Sequence, residues 1–210
     1  MRMLVVYCHP CPDSFSAALR DRVLSTLRGA GHETRLLDLY AQDFDPVMSD
    51  AERRDYHTPG INEEPVAADL ALLRWCEGLI FVYPTWWYAQ PAMLKGWLDR
   101  VWVPHATFTM PDENTPIRRV LTHIRVLGVV TTLGSPWWWW TFVIGAPGRK
   151  IILRGLRALM HPSCRTHWLA LHKMDTATAK QREAFLDRVE RELSLIDCEV
   201  QPQALTMLGV

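Results

Sequence analysis

The feature that most constrains the fold is a set of short apolar runs: Leu4 to Tyr7, Gly78 to Tyr83, and Ile124 to Thr132, the last interrupted by Arg125 and ending on Thr131-Thr132. Each is bounded by polar or turn-forming residues and lacks polar alternation. Each therefore predicts a strand buried on both faces, as in a parallel sheet covered by helices. Thr34 to Leu39 and Arg165 to Leu171 read as two further strands. Between them lie helical patterns over Ser16–Arg28, Val66–Trp75, Pro91 to about Pro104, Arg149–Met160 and Thr178–Ile196. Gly29 and Gly31 supply a stop for the first helix, and Pro91 sits where a first helical turn tolerates it. Strands alternating with helices predict one doubly wound α/β domain over residues 1–210, with five parallel strands. The connection from Ala41 to Pro65 is the longest stretch that no pattern assigns.

A 210-residue chain that is 49% hydrophobic has enough apolar surface for a sizeable core. Equal numbers of basic and acidic side chains, 23 of each, give no overall charge that would attract nucleic acid. The balance is uneven along the chain. Residues 114–173 hold nine Lys and Arg but no Asp or Glu, which leaves 14 basic against 23 acidic groups elsewhere. No apolar stretch reaches the roughly 20 residues of a spanning helix, and the N-terminus has no export-signal pattern, so the cytoplasm is the expected compartment. Five scattered cysteines suit reduced thiols rather than a disulfide framework, with Cys76 and Cys198 as packing residues. His161, Cys164 and His167 match no zinc spacing, and His57 and His105 form no constellation, so no metal is expected.

In a sheet of this kind ligands bind beyond the carboxyl ends of the strands. The loop after the first strand, Cys8-His9-Pro10-Cys11-Pro12-Asp13-Ser14-Phe15-Ser16, leads into a helix whose free N–H groups and dipole suit a phosphate. Ser14 and Ser16 add hydroxyls and His9 a ring donor; alternatively, Ser16 is only the helix cap. The loop after the third strand, Pro84-Thr85-Trp86-Trp87-Tyr88-Ala89-Gln90-Pro91, suits a flat conjugated ring. The loop after the fourth, Thr131-Thr132-Leu133-Gly134-Ser135-Pro136, offers backbone N–H groups to a polar ring edge. Taken singly, the aromatic residues are as well explained by core packing.

The motifs also come in a fixed order. His-Pro-x-x-x-Ser-Phe is followed by Asp38-Leu39-Tyr40 with Phe44-Asp45-Pro46, then Pro-x-x-Trp-Tyr before Leu-Lys-Gly-Trp, then Thr-Thr-x-Gly-Ser. In this the chain resembles the flavodoxin-like NAD(P)H:quinone oxidoreductases over Met3 to Ser135, and through Arg182 over much of the remainder. The resemblance implies strand order 2-1-3-4-5 and a homodimer in the cytoplasm. It implies a flavin whose phosphates meet His9, Ser14, Phe15 and Ser16, whose ring lies along Pro84, Thr85, Trp86, Trp87 and Tyr88, and whose pyrimidine edge meets Thr131, Thr132, Leu133 and Gly134. Arg182 falls where FAD-holding members place an arginine, which implies FAD, with FMN as the alternative. NAD(P)H is then the co-substrate and a quinone or similar two-electron acceptor the oxidant.

The chain departs from the family pattern at its roof. Relatives carry a Tyr and a His beyond the Thr-Thr-x-Gly loop, whereas here Trp137-Trp138-Trp139-Trp140 follow, with Trp139 near the Tyr position. Trp87, Tyr88 and Trp139 are the expected residues around the reacting atoms, under a roof without a proton donor. Two other readings compete. Cys8 and Cys11 form a Cys-x-x-Cys motif between strand and helix, the setting of a thiol–disulfide oxidoreductase. Eight of ten Trp residues fall between positions 86 and 140, and Lys150, Arg154 and Arg157 line one side of a basic amphipathic helix, which suits a peripheral membrane contact of a flavin-binding protein.

Overall fold

The structure, a computed structural model, describes residues 1–196; Cys198 lies outside them. Five parallel strands stand in the order β2-β1-β3-β4-β5. They are β1 (Arg2–Tyr7), β2 (Glu33–Asp38), β3 (Gly78–Pro84), β4 (Val126–Thr132) and β5 (Arg165–Leu171). Every residue of β3 and β4 is buried, as the apolar runs require. β2 forms one edge and is mostly open to solvent, which explains its weaker apolar signal.

Helices α1 (Phe15–Gly29) and α6 (Ala179–Leu193) cover one face, where Leu19, Val23, Phe185 and Val189 pack on Met3, Val5, Ile80 and Val130. The other face is covered by α3 (Ala67–Trp75), α4 (Ala92–Val101) and the segment 147–159, packed around Phe81, Trp97 and Val129. Each terminal helix has a side-chain cap. Ser14 Oγ accepts the Ala17 N–H, so Ser14 and not Ser16 is the cap of α1, and Thr178 forms a capping box with Gln181.

Two stretches differ from the sequence expectation. The 41–65 connection contains a short helix, α2 (Asp50–Asp55), and a 3₁₀ turn (Ile61–Val66). The expected helix over 149–160 begins at α5 (Pro147–Lys150) and changes winding twice, to π over Ile151–Gly155 and 3₁₀ over Leu156–Leu159. Its apolar residues turn toward the core as periodicity demanded, with Ile152 fully buried. Arg157, however, is not on an open cationic face: its guanidinium donates to the Cys164 and Pro162 carbonyls. A further π turn spans Trp139–Val143. No helix among the described residues is long and apolar enough to cross a membrane.

Candidate functional site

The carboxyl ends of β1, β3 and β4 open side by side, so the three loops singled out in the sequence meet. The β1–α1 loop leaves the sheet at Cys8, whose N–H donates to the Val82 carbonyl. His9 Nδ1 lies 3.0 Å from the Cys11 N–H. Nδ1 also lies 3.2 Å from the Cys11 carbonyl, so in either tautomer it is engaged by the Cys11 backbone. Nε2 is the ring nitrogen left for a ligand, beside the start of α1, where the Phe15 and Ser16 amides have no earlier turn to bond.

In the loop after β3, the Thr85 N–H donates to the Thr132 carbonyl at 2.8 Å and the Thr85 and Thr131 hydroxyls are paired at 2.9 Å. The chain then reverses in a two-residue turn closed by reciprocal bonds between Trp86 and Ala89. Trp87 and Tyr88 occupy its centre with φ of 48° and 64°. Such a turn ordinarily takes Asn and Gly, since a Cβ is disfavoured there. The turn is held from below, where Gln90 Nε2 donates to the Gly148 carbonyl at 2.9 Å and the Gly148 N–H to the Tyr88 carbonyl at 3.3 Å.

The loop after β4 is held by that after β5: the Leu133 N–H donates to the Leu171 carbonyl, and the Met174 N–H to the Leu133 carbonyl. Gly134 lets the two loops approach: a Cβ there would stand 2.4 Å from Asp175 Oδ2, and that exposed carboxylate would have to swing aside. His172 Nδ1 faces the Ser135 carbonyl at 3.3 Å, and burial holds that imidazole below its ordinary pKa.

Two adjoining clefts result. One, of about 220 Å³, is lined by His9, Ser14, Phe15, Ser16, Pro84, Thr85, Trp86, Thr132 and Gly134, together with Met174 and Asp175. The other, of about 230 Å³, is lined by Thr85, Trp87, Tyr88, Leu133, Gly134 and Ser135. Twelve of the fourteen expected cofactor residues thus line one trough. Thr131 is fully buried beneath it and acts on it through Thr85. Arg182 lines neither cleft and donates to the Ala177 carbonyl at 2.7 Å. Trp139 lines neither, but its Nε1 donates to the Tyr88 hydroxyl at 3.3 Å. This bond brings the tryptophan run against a hydroxyl of the loop after β3. The indole can only donate, so the Tyr88 oxygen accepts and its own proton is free for another acceptor.

Sequence reasoning missed Met174 and Asp175, and gave Ser135 only as part of its loop. The signal for the first two was present, since the loop after β5 opens on the same sheet edge and Asp175 is the first carboxylate after the acid-free stretch. The dithiol reading meets a contrary environment. Burial pushes the Cys8 thiol up to about 12, whereas exchange chemistry needs a lowered value.

A family described by its flavodoxin-like fold matches residues 1–193. Among curated proteins, the chain is 33% identical over 118 residues to a ribosyldihydronicotinamide dehydrogenase-like protein, traD, of Penicillium crustosum, covering 49% of this chain and 44% of that one. It is 35% identical over 102 residues to the uncharacterized NAD(P)H oxidoreductase YcaK of Escherichia coli K12, covering 48% and 52%. It is 29% identical over 126 residues to the human ribosyldihydronicotinamide dehydrogenase [quinone], covering 52% and 54%. The chain thus spans about half the length of these curated relatives. Among solved structures, Smu.1420 of Streptococcus mutans UA159 superposes with a TM-score of 0.79 at 28% identity, covering 93% of this chain and all of that one. An FMN-dependent NADH-azoreductase of Bacillus anthracis in complex with FMN superposes with a TM-score of 0.72 at 16% identity, covering 92% and 97%, a likeness of fold.

Proposed function

Starting from the fact that the chain belongs to the family with the flavodoxin-like fold, we propose that it binds a flavin in the double trough and passes hydride from NAD(P)H to a quinone or similar two-electron acceptor. One observation carries this reading: three loops, from β1, β3 and β4, converge on two adjoining clefts, one ringed by donors and the other by aromatic side chains. The first cleft suits a phosphate, through the free amides at the start of α1, the Ser16 hydroxyl and the His9 ring. The Asp175 carboxylate at its far wall repels phosphate and suits sugar-chain hydroxyls instead. The second cleft suits the flat ring, with Trp87 and Tyr88 along it and the Leu133–Ser135 backbone at its polar edge. A bound flavin supplies the hydride chemistry. The protein's part is to stack, orient and exclude water, and to deliver a proton from Tyr88 to an acceptor oxygen.

We favour FMN over FAD for this chain. Arg182, the residue behind the FAD expectation, is committed to the Ala177 carbonyl and lines neither cleft. The aromatic loops also suit a homodimer with the flavin near its interface, and a cytoplasmic enzyme. The names of the curated relatives support the NAD(P)H and quinone assignments. The test is direct. The purified protein should be yellow, release FMN on heating and oxidise NAD(P)H with a quinone, and light scattering should give twice the chain mass. Ser16→Ala should weaken flavin binding roughly tenfold, in line with loss of one charge-assisted hydrogen bond of about 1.5 kcal/mol. Release of FAD would overturn the FMN assignment, and a colourless protein that takes up neither flavin would overturn the whole reading.

A further inference from the structure

Five of the thirteen large apolar side chains exposed among the described residues fall within the seven residues 137–143, at one tip. Trp137, Trp138, Phe142 and Val143 are 56, 54, 72 and 54% exposed. Trp137 meets Phe142 edge to face at 5.3 Å, and Trp138 meets Trp139 at 5.7 Å. Trp140 alone turns inward and stacks on Trp168 at 5.3 Å. The π turn over Trp139–Val143 produces this arrangement, since a wider turn seats one ring in the core while its neighbours stay outside. A cluster of rings left in water marks a surface that something covers.

The charges around the tip indicate what covers it. Arg149, Lys150 and Arg154 follow within a few residues, all exposed, and none joins a salt bridge among the described residues. The Lys150 ammonium reaches back toward the end of the turn, 3.4 Å from where a Cβ on Gly145 would be. No Asp or Glu occurs anywhere in residues 114–173 to balance them.

We propose that the tip formed by Trp137, Trp138, Phe142 and Val143, flanked by Arg149, Lys150 and Arg154, docks on an anionic phospholipid bilayer. Indole rings settle at the headgroup level, and the cations hold anionic headgroups around them. The contact is a wedge of rings rather than a helix lying flat, because the apolar side of the 147–159 segment is spent on the core and Arg157 is bonded to the loop beneath it. Trp139 joins the tip to the trough, touching Trp138 on one side and the Tyr88 hydroxyl on the other. On the reading of the trough as a quinone site, a quinone dissolved in the bilayer reaches it from the docked face. The docking itself does not depend on that reading.

The test is co-sedimentation of the full chain with phosphatidylcholine vesicles, with and without phosphatidylglycerol, while tryptophan emission is followed. Binding should be at least about tenfold tighter with phosphatidylglycerol, with a blue-shifted emission. It should weaken at 1 M salt, where the Debye length falls to about 3 Å. Replacing Arg149, Lys150 and Arg154 together with Gln should remove the preference for anionic vesicles. Trp137→Ser with Phe142→Ser should abolish binding to either vesicle, with circular dichroism confirming the fold. The charge variant, altered only at exposed positions, tests the proposal even if the aromatic variant misfolds. Equal binding to both vesicles, or none, overturns it. So does a lipid-free dimer that Phe142→Ser alone dissociates, which would assign the tip to a second copy. Neither readout requires flavin or turnover, so failure of the quinone reading leaves this result intact.

Discussion

Trp87 and Tyr88 hold left-handed backbone where an L side chain costs about 1–2 kcal/mol apiece, and Trp87 recovers little of that by burial, being 93% exposed. Strain maintained at an exposed aromatic residue fits a ring kept ready for a flat ligand. Trp87→Gly should therefore raise the stability of the flavin-free protein by about 1 kcal/mol in urea unfolding and weaken its flavin affinity. A loss of stability would show that the indole packs better than its exposure implies. Tyr88 allows a sharper separation, because its hydroxyl accepts from Trp139 and retains a proton to give. Tyr88→Phe should leave flavin reduction by NAD(P)H nearly unchanged in stopped-flow measurements and slow reoxidation by a quinone by about 100-fold, the low end of general acid contributions. Equal effects on both half-reactions would make Tyr88 a positioning residue only. The thiols sort by environment. Cys11 is exposed, whereas Cys8, Cys76 and Cys164 are buried, so brief alkylation of the native protein at pH 8, mapped by mass spectrometry, should label Cys11 and spare the other three.

Helix α4 is the element that ties the 41–66 connection to the sheet, and it does so at a glycine. A Cβ on Gly96 would stand 2.2 Å from the Pro46 carbonyl oxygen and 2.6 Å from its Cα, backbone atoms with nowhere to retreat. One turn on, the Arg100 guanidinium pairs with Glu52 at 2.6 Å, donates to the Asp45 carbonyl and lies over the Phe44 ring. Gly96→Ala should cost about 3 kcal/mol by overpacking, read as a lower urea midpoint. An unchanged midpoint would mean that the connection can lift away freely. This contact also explains why Phe44-Asp45-Pro46 and Leu-Lys-Gly-Trp occur together in the sequence, although neither reveals its partner alone. Likewise Asp38, singled out with Leu39 and Tyr40, serves the turn after β2 by accepting the Tyr40 and Ala41 amides rather than a ligand. The buried strands and the three ligand loops were legible because apolar runs and turn residues are local signals. The winding of 147–159 was not, since α and π turns place apolar residues at nearly the same spacing. Asp175 went unread because a single carboxylate after a strand has no pattern.

For the molecule as a whole, the buried thiols set how stability responds to alkali. Burial pushes Cys8 and Cys76 up to about 12 and Cys164 up to about 11. Each thiol holds its proton more tightly in the folded than in the unfolded chain, so stability is complete below the ordinary thiol value of about 8.5 and is lost as pH rises toward 11–12. Urea midpoints should fall from about pH 9 upward, and Cys76→Ala should make that fall shallower; an unaltered slope would assign it to other groups. Beside the three loops at one sheet edge, the turn over Trp139–Val143 departs from regular α winding. A π turn closes its hydrogen bonds one residue further along than an α turn. The turn is therefore adjustable in length as well as in composition. Because a π turn holds one residue more than the α turn it stands for, removing one residue from 139–143 would restore regular α winding while leaving the downstream chain facing nearly as it does now, so a single-residue deletion is the route by which a lineage carrying this fold could change which indole turns inward without re-aiming the 147–159 segment.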